Sequence, residues 1–382
     1  MRIALFSGNY NYLREGANQA MNQLVGYLER RGHQVRIYSP TTDTPAFEPT
    51  GTLISVPSIP LPGRTEFRLG LGLAGRVRRD LCAFAPEIVH VTAPDILNCR
   101  AVSFARAHSI ASVASVHTRY ETYAAYYGFG WAKPLIAAHL HRLYRRVDHV
   151  LAPTTALADD MVAVRGDDAV SLWGRGVDTA RFDPARRDMG WRRAQGFGDD
   201  ETVVLFFGRL VKEKGVEAFA RTLAMLVAKG ARVRALIVGA GPAASALAEL
   251  QGAVFTGYLD GTDLGRAAAS ADIMLNPSLT EAFGNVVLEG MASGLAIVSP
   301  DTPSAAHLLT DGQTGLLCAE PSVAAYAAAI SSLIDDPKYR NALGKAAREA
   351  SLKRDWNTAS AQVEEAYYKV LDRRSRCKLR RA

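Results

Sequence analysis

With 382 residues the chain is long enough for two domains and a large core, and its 48% hydrophobic content is ordinary for a globular protein. No apolar run reaches membrane-span length, and the opening Met1-Arg-Ile-Ala-Leu-Phe6 reads as a strand rather than a secretory leader, so a cytoplasmic location is expected. Net charge is +7, but six basic residues and no acidic one lie in 373–382, and the four cysteines, Cys82, Cys99, Cys318 and Cys377, make no CxxC pair that would suggest disulfides or zinc.

Residues 3–6 are a short apolar run and 7–12 a loop. Helical periodicity over 16–30 (Ala20, Leu24, Val25, Leu28), a stop at Gly32 and a strand at 34–38 predict a β-α-β opening of a Rossmann-like domain. No GxGxxG accompanies it, so no dinucleotide cofactor is indicated. Residues 41–63, rich in proline and threonine, read as a long excursion, and 64–84 as a helix. Strands at 88–91 and 111–116 flank a helix at 96–108.

The strand at 111–116 runs into His117. Ligands in α/β proteins gather at such carboxyl ends, though a structural histidine fits the same pattern. Tyr120, Tyr123 and Tyr127 follow at helical spacing, with Tyr126, Phe129 and Trp131 beside them. Ordinary core explains them, and so does a platform that stacks on sugars or sits at a lipid interface. The helix expected at 131–147 carries His139, His141, Arg142, Arg145 and Arg146, which suits a solvated face or a membrane surface. A strand at 150–152 and a helix at 155–164 follow, and a domain boundary is placed near Gly174. The basic run at 373–382 reads as a frayed terminus or as a polybasic segment drawn to anionic lipid; no recognition motif supports nucleic acid.

In the second half, residues 202–207 (TVVLFF) form a buried strand that ends in Gly208-Arg209-Leu-Val-Lys-Glu-Lys214-Gly215. A glycine followed by cations at a strand's carboxyl end is a phosphate-binding arrangement. Arg209 can fork two hydrogen bonds to phosphate, and Lys214 adds a point charge. A strand at 233–238 enters the tight turn Gly239-Ala-Gly-Pro242. Next come a strand at 254–256, the loop Gly257-Tyr258-Leu259 and a helix at 264–271. Helices are expected at 323–334 and, with Trp356, over 348–371.

The most informative stretch is Glu281-Ala-Phe-Gly-Asn-Val-Val-Leu-Glu289, between a strand at 272–276 and a helix closed by Gly294. Asn285 is expected as the N-cap. A strand, a loop and a helix N-terminus make an anion site with free backbone N–H groups. Glu289 lies one turn, about 5.4 Å, along the helix, where it would meet the diol of a ribose attached to a bound diphosphate. Glu281 could hold hydroxyls of a second sugar. The pattern therefore reads as a nucleotide-sugar site; an amphipathic helix with two surface glutamates is the competing local reading.

That stretch, with Phe283 and Gly284, resembles the E-x7-E motif of retaining glycosyltransferases of family 4. The resemblance implies the GT-B arrangement: α/β, two Rossmann-like β/α/β domains facing across a deep cleft, with a C-terminal helix crossing back to the first domain. Residues 1–174, joined by 357–382, would bind the acceptor, and 175–356 the donor. The run at 208–215 is similar to the family's G-R-x-x-x-x-K-G, which implies that Arg209 and Lys214 hold the diphosphate and stabilise the leaving group. Glu281 would orient the sugar, and His117 would contact it near the reaction centre. Gly208, Gly257, Tyr258, Leu259, Phe283, Gly284, Asn285, Val286 and Glu289 would surround the donor. Gly16 would lie at the cleft mouth, where the family often pairs glycines and this chain has Arg14-Glu-Gly-Ala-Asn18.

The G-V-D-x-x-x-F-x-P run at 176–184 resembles the family's crossing between domains. The run from Ser115 to Gly128 resembles a subgroup acting on membrane lipids or lipid-linked sugars. There Tyr120, Tyr123, Tyr127, Arg142, Arg145 and Arg146 would face acceptor or membrane. The family is metal-independent and needs no cofactor beyond its UDP- or GDP-sugar substrate. Its acceptor attacks from the face the leaving group departs, so Glu281 and Glu289 are not a glycosidase pair. The expectation is a retaining hexosyltransferase (glucose, glucuronate or mannose) of glycolipid biosynthesis, peripheral on the inner face of the cell membrane, with no nucleic-acid partner. A soluble or polysaccharide acceptor, a nucleotide-sugar epimerase of the same fold and a silent binding protein stay open.

Overall fold

The computed structural model describes residues 1–61 and 64–379, with side chains for all of these except Tyr123, Ala124 and 377–379. The described chain divides into two compact units. The first comprises Met1–Ala124, Phe129–Gly176 and everything from Trp356 on; the second comprises Ala125–Gly128 and Val177–Asp355.

The chain opens with β1 (Arg2–Phe6), α1 (Gly16–Arg30), β2 (Gln34–Ser39), β3 (Thr52–Ser55), β4 (Ser58–Leu61), β5 (Arg64–Gly70), α2 (Gly75–Phe84) and β6 (Ile88–Val91). It continues through α3 (Ile96–Ala107), β7 (Ala111–Ser115), α4 (Tyr120–Tyr126), α5 (Lys133–Arg146), β8 (His149–Ala152), α6 (Thr155–Arg165) and β9 (Val170–Leu172). Among the described residues seven of these strands build one sheet in the order β3-β2-β1-β6-β7-β8-β9, and β4 and β5 form a separate pair. All pairings within the seven-stranded sheet are parallel. A parallel sheet covered on both faces needs strands apolar on both sides, and β6, β7 and β8 are buried at every position. The chain steps from β1 outward to β3, then returns to place β6 on the other flank of β1. Strand order therefore reverses between β1 and β6, which opens a crevice at their carboxyl ends.

The second unit holds α7 (Met189–Ala194), β10 (Thr202–Phe207), α8 (Val216–Ala228), β11 (Val233–Val238), β12 (Val254–Gly257), α9 (Gly261–Ala269) and β13 (Ile273–Leu275). Then come α10 (Asn285–Ala292), β14 (Ala296–Pro300), α11 (Pro303–Leu308), β15 (Leu316–Cys318), α12 (Val323–Asp335) and α13 (Pro337–Ser351). Its described strands form a six-stranded parallel sheet, β12-β11-β10-β13-β14-β15, which reverses between β10 and β13. The last helix, α14 (Trp356–Leu379), belongs to the first unit. It buries Val363, Ala366, Tyr367 and Val370 against a core that includes Leu5, Leu24 and Trp173.

Three local expectations fail. Residues 64–84 are not one helix: Arg64–Gly70 is β5, antiparallel to β4. Its arginines mimic a helical face, but Arg68 Nε donates across the hairpin to Ser58 Oγ at 2.8 Å. The excursion at 41–63 contains β3, which forms the sheet edge. The pattern at 348–371 is broken between Ser351 and Trp356, so α13 and α14 are separate helices. The basic terminus is helical as far as Leu379, with Arg373, Arg374 and Arg376 paired to Asp168 (3.7 Å), Asp148 (3.1 Å) and Asp372 (2.9 Å). Residues 380–382 of that run lie outside the described residues. No helix among the described residues is long and apolar enough to cross a membrane.

Gly239, just past β11, has φ +141°, and a Cβ there would lie 1.9 Å from the Gly208 carbonyl oxygen. Gly239→Ala should lower folding stability by about 2–4 kcal/mol, through strain and backbone displacement. Urea denaturation checks this; an unchanged midpoint would contradict the close approach of the two turns.

Candidate active site

The reversal between β10 and β13 brings two loops together. The first leaves β10 through Gly208 (φ +136°), passes Arg209, tightens into a 3-10 turn at Lys212–Lys214 and ends at Gly215 (φ +71°). A Cβ on Gly215 would meet the Pro277 carbonyl oxygen at 2.8 Å, so only glycine lets this loop lie against the one after β13. The second loop runs from Asn276 to Gly284. Ser278 Oγ donates to the Glu213 carbonyl at 3.1 Å, and Asn276 Nδ2 to Ser299 Oγ at 3.3 Å.

Lys214 and Glu281 meet at the centre, with Nζ donating to Oε1 at 2.5 Å. Arg209 Nη2 lies 3.9 Å from Oε1 of the buried Glu213. The other Glu213 oxygen, Oε2, accepts from the Tyr127 hydroxyl at 2.8 Å. A site residue the motif reading missed is thus Glu213, which faces the core of its loop while Lys214 faces the second loop. Its signal was only a glutamate between two lysines.

Helix α10 starts one residue earlier than expected. Gly284, not Asn285, is the N-cap, with φ +95° and no side-chain cap. Glycine adopts that conformation without penalty, so Asn285 moves into the first turn, where its Oδ1 is buried without a partner. The first N–H groups of α10 remain available to an anion. Val286 closes on the first loop: a Cβ at Gly208 would come within 3.8 Å of Val286 Cγ1. Phe283 is buried, edge-on to His307 at 5.9 Å. Glu289 lies one turn on, and burial pushes its carboxyl up to about 8, against the pull of Arg181. Gly257 (φ +70°) ends β12, with Tyr258 exposed and Leu259 packed on the core. The loops after β10 and β13, with α10, therefore bring Arg209, Lys214, Glu281, Gly284, Asn285 and Val286 together.

In the first unit, His117 follows β7 and Gly16 is the first residue of α1. The His117 ring is held on both sides. Nε2 lies 2.7 Å from Ser115 Oγ, and Arg175 Nη2 lies 3.0 Å from Nδ1. Ser115 continues to His90 Nε2 at 3.0 Å, and His90 Nδ1 to the Tyr367 hydroxyl at 2.6 Å. Of these partners only Ser115 lay in a run marked from the sequence; His90, Tyr367 and Arg175 come from β6, α14 and the chain after β9. Burial, then the charges of Arg175 and His90, hold His117 well below the ordinary imidazole range; burial alone holds His90 at about 3.

Tyr120 begins α4, where burial and the carboxylates of Glu15 and Asp95 raise its hydroxyl. The Tyr123 side chain lies outside the described residues. Arg145 Nε donates to Val164 O at 2.5 Å, and Arg146 Nη2 to Ser103 Oγ at 3.0 Å. These two arginines tie α5 to its neighbours; Arg142 is exposed, as is Arg145.

Residues 14–181 match glycosyltransferase family 4, and residues 190–350 match the glycosyl transferases group 1. The chain is 34% identical to a GDP-mannose-dependent alpha-mannosyltransferase of Mycolicibacterium smegmatis, over 98% of its own length and 99% of the relative's. The chain belongs to this glycosyltransferase family. It is also 30% identical to the sulfoquinovosyl transferase SQD2 of Arabidopsis thaliana, over 96% of its length and 73% of that protein. A sucrose-phosphate synthase from Thermosynechococcus elongatus shares the GT-B fold, with a TM-score of 0.75 at 18% identity over 97% of this glycosyltransferase and 99% of that chain.

The neutral buried histidines of the first unit set a pH dependence. His90 and His149 are held at about 3 and about 4, chiefly by burial, against 6.5 unfolded. A depressed histidine contributes stability that is present above the unfolded value and lost as pH falls toward the folded one. The urea midpoint should therefore fall from pH 6.5 to 4, with each histidine adding up to about 1.4 kcal/mol per pH unit. His90→Phe should flatten the profile; an unchanged slope would contradict the neutral assignment.

Proposed function

We propose that the protein transfers a hexose, with retention, from a GDP- or UDP-sugar to a membrane lipid or lipid-linked acceptor. The observation that carries this is the convergence of Arg209, the Lys214–Glu281 pair and the N-terminus of α10 where the second sheet reverses. A nucleotide diphosphate needs that combination: cations with a forked donor, and backbone N–H groups aimed at the phosphates. As the bond to the sugar breaks, charge grows on the departing diphosphate. Fixed cations and helix amides stabilise it without reorganising, the largest contribution most enzymes make. No resident metal or cofactor is part of the reading. Glu281, held by Lys214, orients the sugar, and Glu289 receives the ribose hydroxyls. Gly257, Tyr258 and Leu259 line the base, and Phe283 backs the loop. His117 is assigned to the transfer step, and the first unit, with Gly16 and Tyr120, to the acceptor.

The lipid half of the proposal rests on a surface. Phe129, Trp131 and Leu135 are 57%, 71% and 65% exposed around the start of α5, flanked by exposed Lys133 and Arg142. Large apolar side chains beside cations suit a peripheral seat on an anionic inner membrane leaflet. Trp131→Ser with Leu135→Ser should weaken binding to phosphatidylglycerol vesicles by about 10-fold or more, since each buried apolar side chain is worth roughly 1.5–3 kcal/mol. Sedimentation with vesicles measures it; undiminished binding would remove this surface from the account.

The activity test is a donor panel of UDP- and GDP-sugars, with and without lipid extract, in EDTA. Lipid-dependent release of one nucleotide, lost in Arg209→Ala, is expected; release without lipid would point to a soluble acceptor or to donor hydrolysis. Glu289 adds a pH signature. Ribose hydroxyls donate to the ionised carboxylate, so donor binding competes with its proton and should tighten as pH rises through 8. Glu289→Gln should abolish that trend and weaken donor binding about 10-fold at pH 8.5, the value of one charged hydrogen bond. Calorimetry with an intact nucleotide sugar reads both effects.

A further inference from the structure

We infer that Arg175 is a positioning residue that fixes His117 as the neutral tautomer with its proton on Nε2. The argument starts from what a guanidinium can do. It has only donors and no acceptor. Arg175 is buried, and although burial lowers its pKa, it stays a cation at neutral pH. Its Nη2 lies 3.0 Å from His117 Nδ1, so Nδ1 must be the acceptor in that bond. A neutral imidazole with a bare Nδ1 carries its proton on Nε2. That proton points at Ser115 Oγ, 2.7 Å away. A doubly protonated ring would set an N–H against the guanidinium. The titratable groups acting on His117 are Arg175, from the chain after β9, and His90, from β6, with Tyr367 of α14 behind His90. Neither Arg175 nor His90 favours a charged imidazole.

Arg175 is itself clamped. Nη1 donates to the Trp173 carbonyl at 2.7 Å and the Gly174 carbonyl at 3.0 Å, and the guanidinium stacks on the Trp173 ring at 4.6 Å. The same indole meets the His117 ring edge-on at 5.1 Å. Gly174 N donates to Gln362 Oε1 of α14 at 3.1 Å. The residue therefore couples two things: the segment where the chain leaves the first unit and the loop that carries His117. The His117 ring, bonded at both nitrogens, is thereby held in one orientation.

The test is nitrogen NMR of the full-length protein labelled with [15N]histidine, with His117 assigned by His117→Gln. We expect a pyridine-type Nδ1 and a pyrrole-type Nε2 that do not change between pH 5 and 8. A proton on Nδ1, or titration within that window, overturns the inference, and neither observation needs substrate or an active enzyme. Arg175→Met should free the ring to titrate, and Arg175→Lys should restore part of the wild-type pattern. Should Arg175→Met fail to fold, the wild-type spectrum still decides. The part of His117 in turnover rests on the proposed function. There, Arg175→Met should lower kcat at least about 10-fold while KM for the nucleotide sugar changes less than about 3-fold, because the phosphate loops lie in the other unit. Unchanged kcat with a freed ring would overturn the positioning role. A correct tautomer in a protein with no transferase activity would sink the function and leave the assignment standing.

Discussion

The ion pair between Lys214 and Glu281 joins the loop after β10 to the loop after β13, and the site depends on that junction. Each loop comes from one side of the point where strand order reverses, so the sheet guarantees a crevice but not what lines it. Glycines do the rest. Gly215 and Gly239 permit approaches that any Cβ would block, and Gly284 turns the chain so that the N–H groups of α10 open the helix without a side-chain cap. A polar cap would have occupied those groups. Their vacancy, beside two cations, is what makes the place suited to a diphosphate.

The two units use the same topology for different chemistry. In the second, the reversal point gathers charge. In the first, His117 stands at the carboxyl end of β7 and is surrounded by a buried polar chain through Ser115, His90 and Tyr367. Buried polar groups in such a chain are costly unless every one is paired, so α14, which supplies Tyr367 and Gln362, is part of what holds the His117 loop in place. The C-terminal helix is thereby more than a cover for the sheet.

Much of this was legible in the sequence, and the reasons differ by element. The strand runs at 3–6 and 202–207 are apolar on both faces and admit little else. The helix at 16–30 shows clean periodicity and a glycine stop. The E-x7-E stretch was readable because its residues are consecutive. The hairpin β4–β5 was not, because arginines at helix-like spacing masked a period of two. The Gly284 cap was not, because asparagine is the better cap by propensity while the turn requires a positive φ. The Arg175–His117 contact could not be seen: the two residues lie 58 positions apart, and only the fold brings them together.

The most direct measurement is titration of the folded protein with UDP and GDP by calorimetry, in EDTA. The account predicts saturable binding of at least one of them, weakened at least about tenfold by Lys214→Ala through loss of a charged contact. Failure of both nucleotides to bind, or binding indifferent to Lys214, would contradict the placement of a diphosphate between the loops after β10 and β13.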